Sequence, residues 1–236
     1  MSGGMLSLAQ AAALVHIEEP ELRHAAQRGE LDSQTRAEDS LYFDRRALTE
    51  WAQRELLGAG AKTLKERNRR MREEEHHADG AESSLAALFA PETIELAVRA
   101  KAKAGMLRDM TELADRGGKV YDPEGLYKAL VEREEAGSTA VGQGIALLHP
   151  KFHDPYLFEE CFVAYGRSER PIFFGASDGE ATRHFFLICS TDHARHLHLL
   201  ARLAVLAHGT ALTDKLDAAE SAEDVIAAIA QCEEEL

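Results

Sequence analysis

One histidine, one arginine and a run of glycines stand in this chain in an order that suits phosphate chemistry. His149 follows the apolar run Ile145-Ala146-Leu147-Leu148, so it is expected just past the end of a buried strand. Upstream lie Gly137, Ser138, Thr139, Gly142 and Gly144. Glycines let backbone amides approach an anion closely, and the Gly142–Gly144 segment and the two hydroxyls can supply hydrogen bonds to it or simply shape the turn. Arg133 lies four residues before Gly137, on a helix expected from Leu126 to Glu135. Its planar fork of donors matches phosphate oxygens. A neutral imidazole, with a usual pKa of about 6.5, is both a nucleophile toward phosphorus and a good leaving group, as a reversible phosphoryl carrier requires. Catalysis of that transfer is mostly a matter of holding donors around the moving group.

The same residues have plainer readings. A histidine after a glycine-rich strand is often simply packed or exposed, and Arg133 stands in Glu132-Arg133-Glu134-Glu135, a pattern that also fits a solvated, salt-bridged helix end. His193, His196 and His198 look like a metal cluster, but no nearby Cys or carboxylate completes one, and His76-His77 lack a third ligand. No metal or cofactor is therefore expected. Ser138 lacks the G-x-S-x-G elbow of a hydrolase nucleophile. His153 and His184 read as structural or exposed.

The elements that must position these residues alternate between strand and helix from Ser83 onward. Ile94, Leu96 and Val98 alternate with Glu95, Ala97 and Arg99, as in a half-buried strand. Met106, Leu107, Met110, Leu113 and Ala114 then follow helical spacing up to Gly117-Gly118. Asp122-Pro123-Glu124 is a helix start, leading to the Arg133 helix. Phe162 to Tyr165 and Phe185 to Cys189 read as further strands, and Leu197, Leu200, Leu203, Ala204 and Leu206 as a long helix. Ser221-Ala222-Glu223-Asp224 is a capping box before a last helix. Apolar strands interleaved with helices imply an α/β fold with a sheet covered on both faces.

Composition bounds the rest. With 236 residues and 45% hydrophobic side chains the chain has room for a small domain plus a standard one. A net charge of −14 and a pI near 5.2 argue against a general polyanion binder. Three cysteines without C-x-x-C spacing read as free thiols in a reducing compartment. No apolar run is long enough to span a bilayer and no leader pattern opens the chain, so a cytoplasmic protein is expected.

Arg133-Glu134, Gly137-Ser138-Thr139, Gly142-x-Gly144-Ile145-Ala146 and His149 together resemble the active-site signature of the enzyme IIA domains of the fructose and mannitol branch of the bacterial phosphotransferase system, including the nitrogen-regulatory IIA proteins. Leu148 stands where that family has proline, and Pro150 follows the histidine, which bears on the backbone angle at His149. Two further stretches, Pro171-Ile172-x-Phe174-Gly175-Ala176-x-Asp178-Gly179 and His196-Leu197-x-x-Leu200-Ala201-x-Leu203, match in the same order. The resemblance thus covers residues 83–236. It implies a mixed sheet flanked by helices, a phosphoryl group received on His149 from a histidine-containing phosphocarrier protein, and His196 as the second histidine beside it, at a helix N-terminus that favours an anion. A target protein or a separate IIB domain is the implied onward partner.

Residues 1–56 form a small, mostly helical module of their own. Ser7 caps a first helix, a turn at Ile17 to Pro20 leads to a second over Glu21 to Gln27, a polar hairpin-like segment runs from Leu31 to Phe43, and Asp44 caps a third helix carrying Leu48, Trp51 and Leu56. This order resembles the excisionase-type helix-turn-helix. Arg23, His24, Gln27 and Arg28 are then the candidates to face DNA. Six Arg against ten Asp and Glu, a net of −4 over residues 1–56, disfavour phosphate contact and favour a protein-docking module. Residues 57–82 read as a charged linker, with a basic block from Lys62 to Arg72 followed by Glu73-Glu74-Glu75-His76-His77.

The expected function is a regulatory phosphocarrier with a role in transcription or nitrogen metabolism. Two alternatives stay open. One is a non-catalytic DNA-binding or protein-interaction regulator that keeps the fold, and the other is a sugar-specific IIA subunit serving a IIB partner.

Overall fold

In a computed structural model the chain divides into two compact units, Met1–Gly80 and Ala81–Leu236. The structure describes residues 4–36, 40–59, 63–69, 84–151 and 157–236. His153, His76-His77 and the end of the basic block, Arg70 and Arg72, lie outside the described residues.

In the first unit, Ser7 ends a short strand β1 (Met5–Ser7) and caps α1 (Leu8–Val15), its hydroxyl accepting from the Gln10 amide while the Gln10 side chain accepts from the Ser7 amide. His16 closes the helix with φ +52. The second helix, α2, spans Glu19–Gln27 and so starts two residues earlier than expected. Pro20 sits in its first turn, where the missing amide costs nothing, instead of in the preceding turn. The polar segment forms β2 (Gln34–Arg36) and β3 (Ser40–Asp44), with β3 at the centre of an antiparallel sheet ordered β1-β3-β2. The Asp44 carboxylate accepts from the Arg46 and Ala47 amides and starts α3 (Arg45–Gly58). A further helix, α4, runs over 63–69. Leu6, Ala11, Leu22, Phe43, Leu48 and Leu56 fill the core of this unit.

The second unit holds the expected mixed α/β layer. Its five-stranded sheet comprises β4 (Ile94–Val98), β5 (Ala140–Gly142), β6 (Ile145–Leu148), β7 (Phe162–Ile172) and β8 (Thr182–Cys189) in the order β4-β7-β8-β6-β5. The β4/β7 and β6/β8 pairs are parallel, and the β7/β8 and β5/β6 pairs antiparallel. Every residue of β6 is buried, so this strand reads as an unbroken apolar run. On β4, Ile94 and Val98 are buried as the alternation predicts, while Leu96 is only half buried.

Two helices lead into the site. α5 (Lys103–Arg116) buries Met106, Leu107, Met110, Leu113 and Ala114, and α6 (Pro123–Glu135) buries Leu126 and Leu130. Asp122 caps α6 by accepting from the Gly125 amide. Both pack with Phe174, Phe185 and Leu187 in one core. α7 (His193–Gly209) follows β8 and is capped by Asp192, α8 (Leu212–Ala218) is short, and α9 (Ala222–Glu234) carries the expected Ser221/Asp224 box. Glu233 of α9 pairs with Arg202 of α7 and accepts from the Ser84 hydroxyl and the Leu85 amide, tying both ends of the unit together. Among the described residues no helix is long and apolar enough to cross a membrane.

Candidate functional site

The strand β6 ends at Leu148, and the next residue, His149, is wholly buried. Leu148 pairs in register with Leu187, so the residue at the usual proline position extends the β6/β8 ladder and carries the histidine on its end. Arg133 reaches the same point from the last turn of α6. It is 6% exposed, which rules out the solvated helix-end reading.

The hydrogen bonds decide the state of the ring. Arg133 Nε donates to His149 Nε2 over 2.9 Å, and a guanidinium can only donate. Nε2 therefore presents its lone pair, and the ring proton sits on Nδ1, from where it is donated to the Leu147 carbonyl at 2.8 Å. The arginine is itself aimed by a second bond, from Nη1 to the Gly137 carbonyl at 2.9 Å. The His196 ring lies 4.9 Å from that of His149, tilted by 51°. It too is fully buried and stands in the first turn of α7, where its amide donates to the Asp192 carbonyl. The expected anion-seeking helix end is partly used: the Asp192 carboxylate already accepts from the Arg195 amide at 2.9 Å.

His149, Arg133 and His196 are thus brought together. The shaping residues divide. Thr139 is 1% exposed and gives both its amide and its hydroxyl to the Glu134 carboxylate, at 3.0 and 2.6 Å. Ser138 donates to the Phe174 carbonyl at 2.7 Å and accepts from the Ala140 amide. Both hydroxyls are thereby spent on the loop.

Gly142 and Gly144 flank the β5–β6 turn at the far end of β6 from His149, four residues of strand or about 13 Å away. Of the two uses expected of them, hydrogen bonds to a group at His149 or the shaping of a turn, this placement suits the second. Their left-handed angles, φ +88 at Gly142, +54 at Gln143 and +72 at Gly144, build a tight hairpin. Asp178 holds that turn by accepting from the Gln143 amide at 3.0 Å, and a Cβ at Gly142 would stand 2.6 Å from its Oδ2.

Sequence reading missed Glu134 as more than half of a motif, and Lys103 altogether. Lys103 Nζ donates to Glu134 Oε1 at 2.7 Å and lies 4.7 Å from the centre of the Phe174 ring. The only signal was the pairing of Glu134 with Arg133 in sequence. No group of three His, Cys, Asp or Glu side chains that could hold a metal is present among the described residues.

His184 is a second buried histidine, on β8, at 1% exposure. Its Nδ1 meets the Tyr165 hydroxyl at 2.8 Å and its Nε2 stands 3.5 Å from Asp217 Oδ1. Burial lowers its pKa to about 4 against the partial support of Asp217. Burial likewise pushes up the Tyr165 phenol and the thiols of Cys161 and Cys189. All three cysteines are free.

In the first unit Arg23, His24 and Gln27 are exposed along α2, and Arg28 follows as its cap. The Arg28 guanidinium is held by Glu30 in two bonds of 2.7 Å.

The fructose-specific EIIABC component of the phosphotransferase system of Bacillus subtilis is 31% identical over 146 residues, which are 61% of this chain and 22% of that protein. The chain thus matches only about a fifth of that relative's length. The nitrogen regulatory protein of Bradyrhizobium diazoefficiens is 33% identical over 146 residues, 61% of this chain and 92% of the relative. Among solved structures, the nitrogen regulatory protein IIA-Ntr of Neisseria meningitidis shares the fold with a TM-score of 0.57 at 24% identity, covering 62% of this chain and 99% of that one. The model of the family described as phosphoenolpyruvate-dependent sugar phosphotransferase system, EIIA 2, matches residues 87–232, and through that stretch, which holds His149, Arg133 and His196, the chain belongs to this family.

Proposed function

We propose that the chain is a regulatory phosphocarrier in which His149 Nε2 accepts a phosphoryl group from the phosphohistidine of a donor carrier protein. The observation that carries this reading is the Nε2 lone pair, which accepts from the Arg133 guanidinium while Nδ1–H donates to the Leu147 carbonyl. In the transfer a new Nε2–P bond forms as the donor's N–P bond breaks, and the electron pair of that bond returns to the donor imidazole. Arg133 must give up its bond to Nε2 as phosphorus arrives. Its charge then serves the phosphoryl oxygens, while its second bond to Gly137 keeps the fork in place. The His149 proton stays on Nδ1, where the Leu147 carbonyl stabilises the charge the ring gains. His196, with its ring beside that of His149, is the second histidine of the site.

A regulatory role, in transcription or nitrogen metabolism, draws support from the nitrogen regulatory relative that the matched region covers almost end to end. Onward transfer to a IIB domain is the second use of the same chemistry, supported by the fructose-specific relative. Residues 1–56 are proposed as a docking module that binds protein in preference to DNA, since Glu18, Glu19 and Glu21 open α2 and Glu30 engages Arg28. The rival reading is a non-catalytic regulator, and the observation in its favour is the complete burial of His149.

Incubation with phosphoenolpyruvate, enzyme I and the carrier protein separates these readings. A working carrier gains one acid-labile, base-stable phosphate that His149→Ala lacks. Absence of that mass gain with cognate carriers gives the lead to the non-catalytic regulator.

A further inference from the structure

A chain of hydrogen bonds runs from His149 into the protein and comes back to the neighbour of Arg133. His149 Nδ1–H donates to the Leu147 carbonyl at 2.8 Å, and the Leu147 amide donates to the Thr139 carbonyl at 3.0 Å. The amide and hydroxyl of Thr139 donate to Glu134 Oε2, and Glu134 Oε1 accepts from Lys103 Nζ. Glu134 is joined by one peptide bond to Arg133, whose Nε meets the other side of the same imidazole. The carboxylate is buried, its side chain 3% exposed.

We propose that Glu134, with its charge balanced by Lys103, is the positioning residue of this site: through Thr139 and Leu147 it holds the His149 proton on Nδ1 and so keeps Nε2 as the phosphoryl acceptor. The consequence for transfer rests on the phosphocarrier reading, while the claim about the resting ring does not. The physical basis is twofold. Glu134 fixes the backbone of Thr139, whose carbonyl takes the Leu147 amide and so sets the Leu147 carbonyl where it receives the imidazole N–H, as outer partners do for catalytic and metal-bound histidines. A bare carboxylate buried on the same turn as Arg133 would also compete for that guanidinium and repel an incoming phosphoryl group. Lys103 removes both objections, which makes the ion pair a condition of the site as well as a fold contact.

Nitrogen-15 NMR of the histidine side chains in the full, unphosphorylated chain at pH 8 reads the tautomer directly. Wild type is expected to show His149 protonated at Nδ1 alone. Glu134→Ala should show a mixture of tautomers together with a loss of about tenfold or more in the rate of phosphoryl acceptance. Lys103→Met should lose rate as well, and the double variant Lys103→Met with Glu134→Gln should recover most of it, because an amide still accepts from Thr139 without a charge to balance. If Glu134→Ala does not fold, the Lys103→Met and double-variant pair decides the matter alone. The proposal is overturned by variants that lower the melting temperature but keep the wild-type tautomer and rate, or by a double variant no better than Lys103→Met. Should wild type accept no phosphate at all, the carrier reading fails, and the tautomer of the Glu134 variants still tests the positioning role.

Discussion

Arg133 makes one bond to the nucleophilic nitrogen and one to the backbone that aims it, so its contribution depends on a rigid fork with two donors in fixed relation. Lysine supplies the charge without that geometry. Arg133→Lys is therefore expected to fold and to slow phosphoryl acceptance on the order of a hundredfold, the usual cost of one misplaced transition-state donor. Single-turnover transfer from the phosphorylated donor carrier measures it, and an unchanged rate would remove Arg133 from the site. The buried His184 makes a prediction of a different kind. Its pKa of about 4 in the folded chain lies below the ordinary 6.5, so between those values the unfolded chain binds a proton that the folded chain refuses. Above pH 6.5 the two states bind alike and stability is complete. As pH falls toward 4 the fold loses on the order of 3 kcal/mol through this residue alone. Arg167 and Arg183 oppose the charged imidazole, and Asp217 favours it. Urea denaturation of wild type and His184→Gln at pH 7.5 and 4.5 isolates the effect as the difference between their pH dependences.

At the scale of elements, the β5–β6 hairpin sets Gly142 and Gly144 at the other end of β6 from His149. Gly144 has φ +72, and a Cβ there would make only an ordinary 3.9 Å contact with the Ala181 carbonyl oxygen, so Gly144→Ala should cost on the order of 1 kcal/mol through backbone strain. Gly142→Ala should cost more, since its Cβ would also displace the Asp178 carboxylate that grips the turn. Thermal unfolding orders the two variants. Both should accept phosphate within a few-fold of the wild-type rate wherever they remain folded, because the turn lies at the other end of β6. A loss of transfer with stability intact would restore these glycines to the phosphoryl site. Arg167 on β7 donates to the Leu216 and Asp217 carbonyls at the end of α8, pinning that short helix by its terminal acceptors, while Thr213 of α8 donates to the Gln143 carbonyl in the β5–β6 turn.

On the scale of the whole molecule, every residue of the His149 site that has been named lies within 81–236, and that unit carries its own two-faced sheet and core. A chain of residues 81–236 is accordingly expected to fold alone and to accept a phosphoryl group on His149 at close to the rate of the full chain. Circular dichroism and the mass gain on incubation with the donor system check both parts. A fragment that folds but transfers much faster or slower would show that residues 1–80 act on the site.

The sequence by itself determined the second unit's alternation of strand and helix and the caps at Ser7, Asp44, Asp122 and Ser221, because periodicity and capping chemistry are local properties of the chain, while His196 beside His149 was implied only by the family resemblance. It also carried the family, in three blocks whose order survives without any knowledge of contacts. The short strand β1 was not legible, since three residues hold no period, and its existence depends on pairing with β3 some 37 positions away at the Leu6–Phe43 register. Only the tertiary structure decided which nitrogen of His149 carries the proton, because that depends on the Leu147 carbonyl and a guanidinium arriving from another element. Only it placed the glycines away from the histidine, and only it joined Lys103 to Glu134 across 31 residues of chain. A hydrogen bond is a relation in space, and spacing along the sequence says nothing of its partner once the chain has folded back on itself.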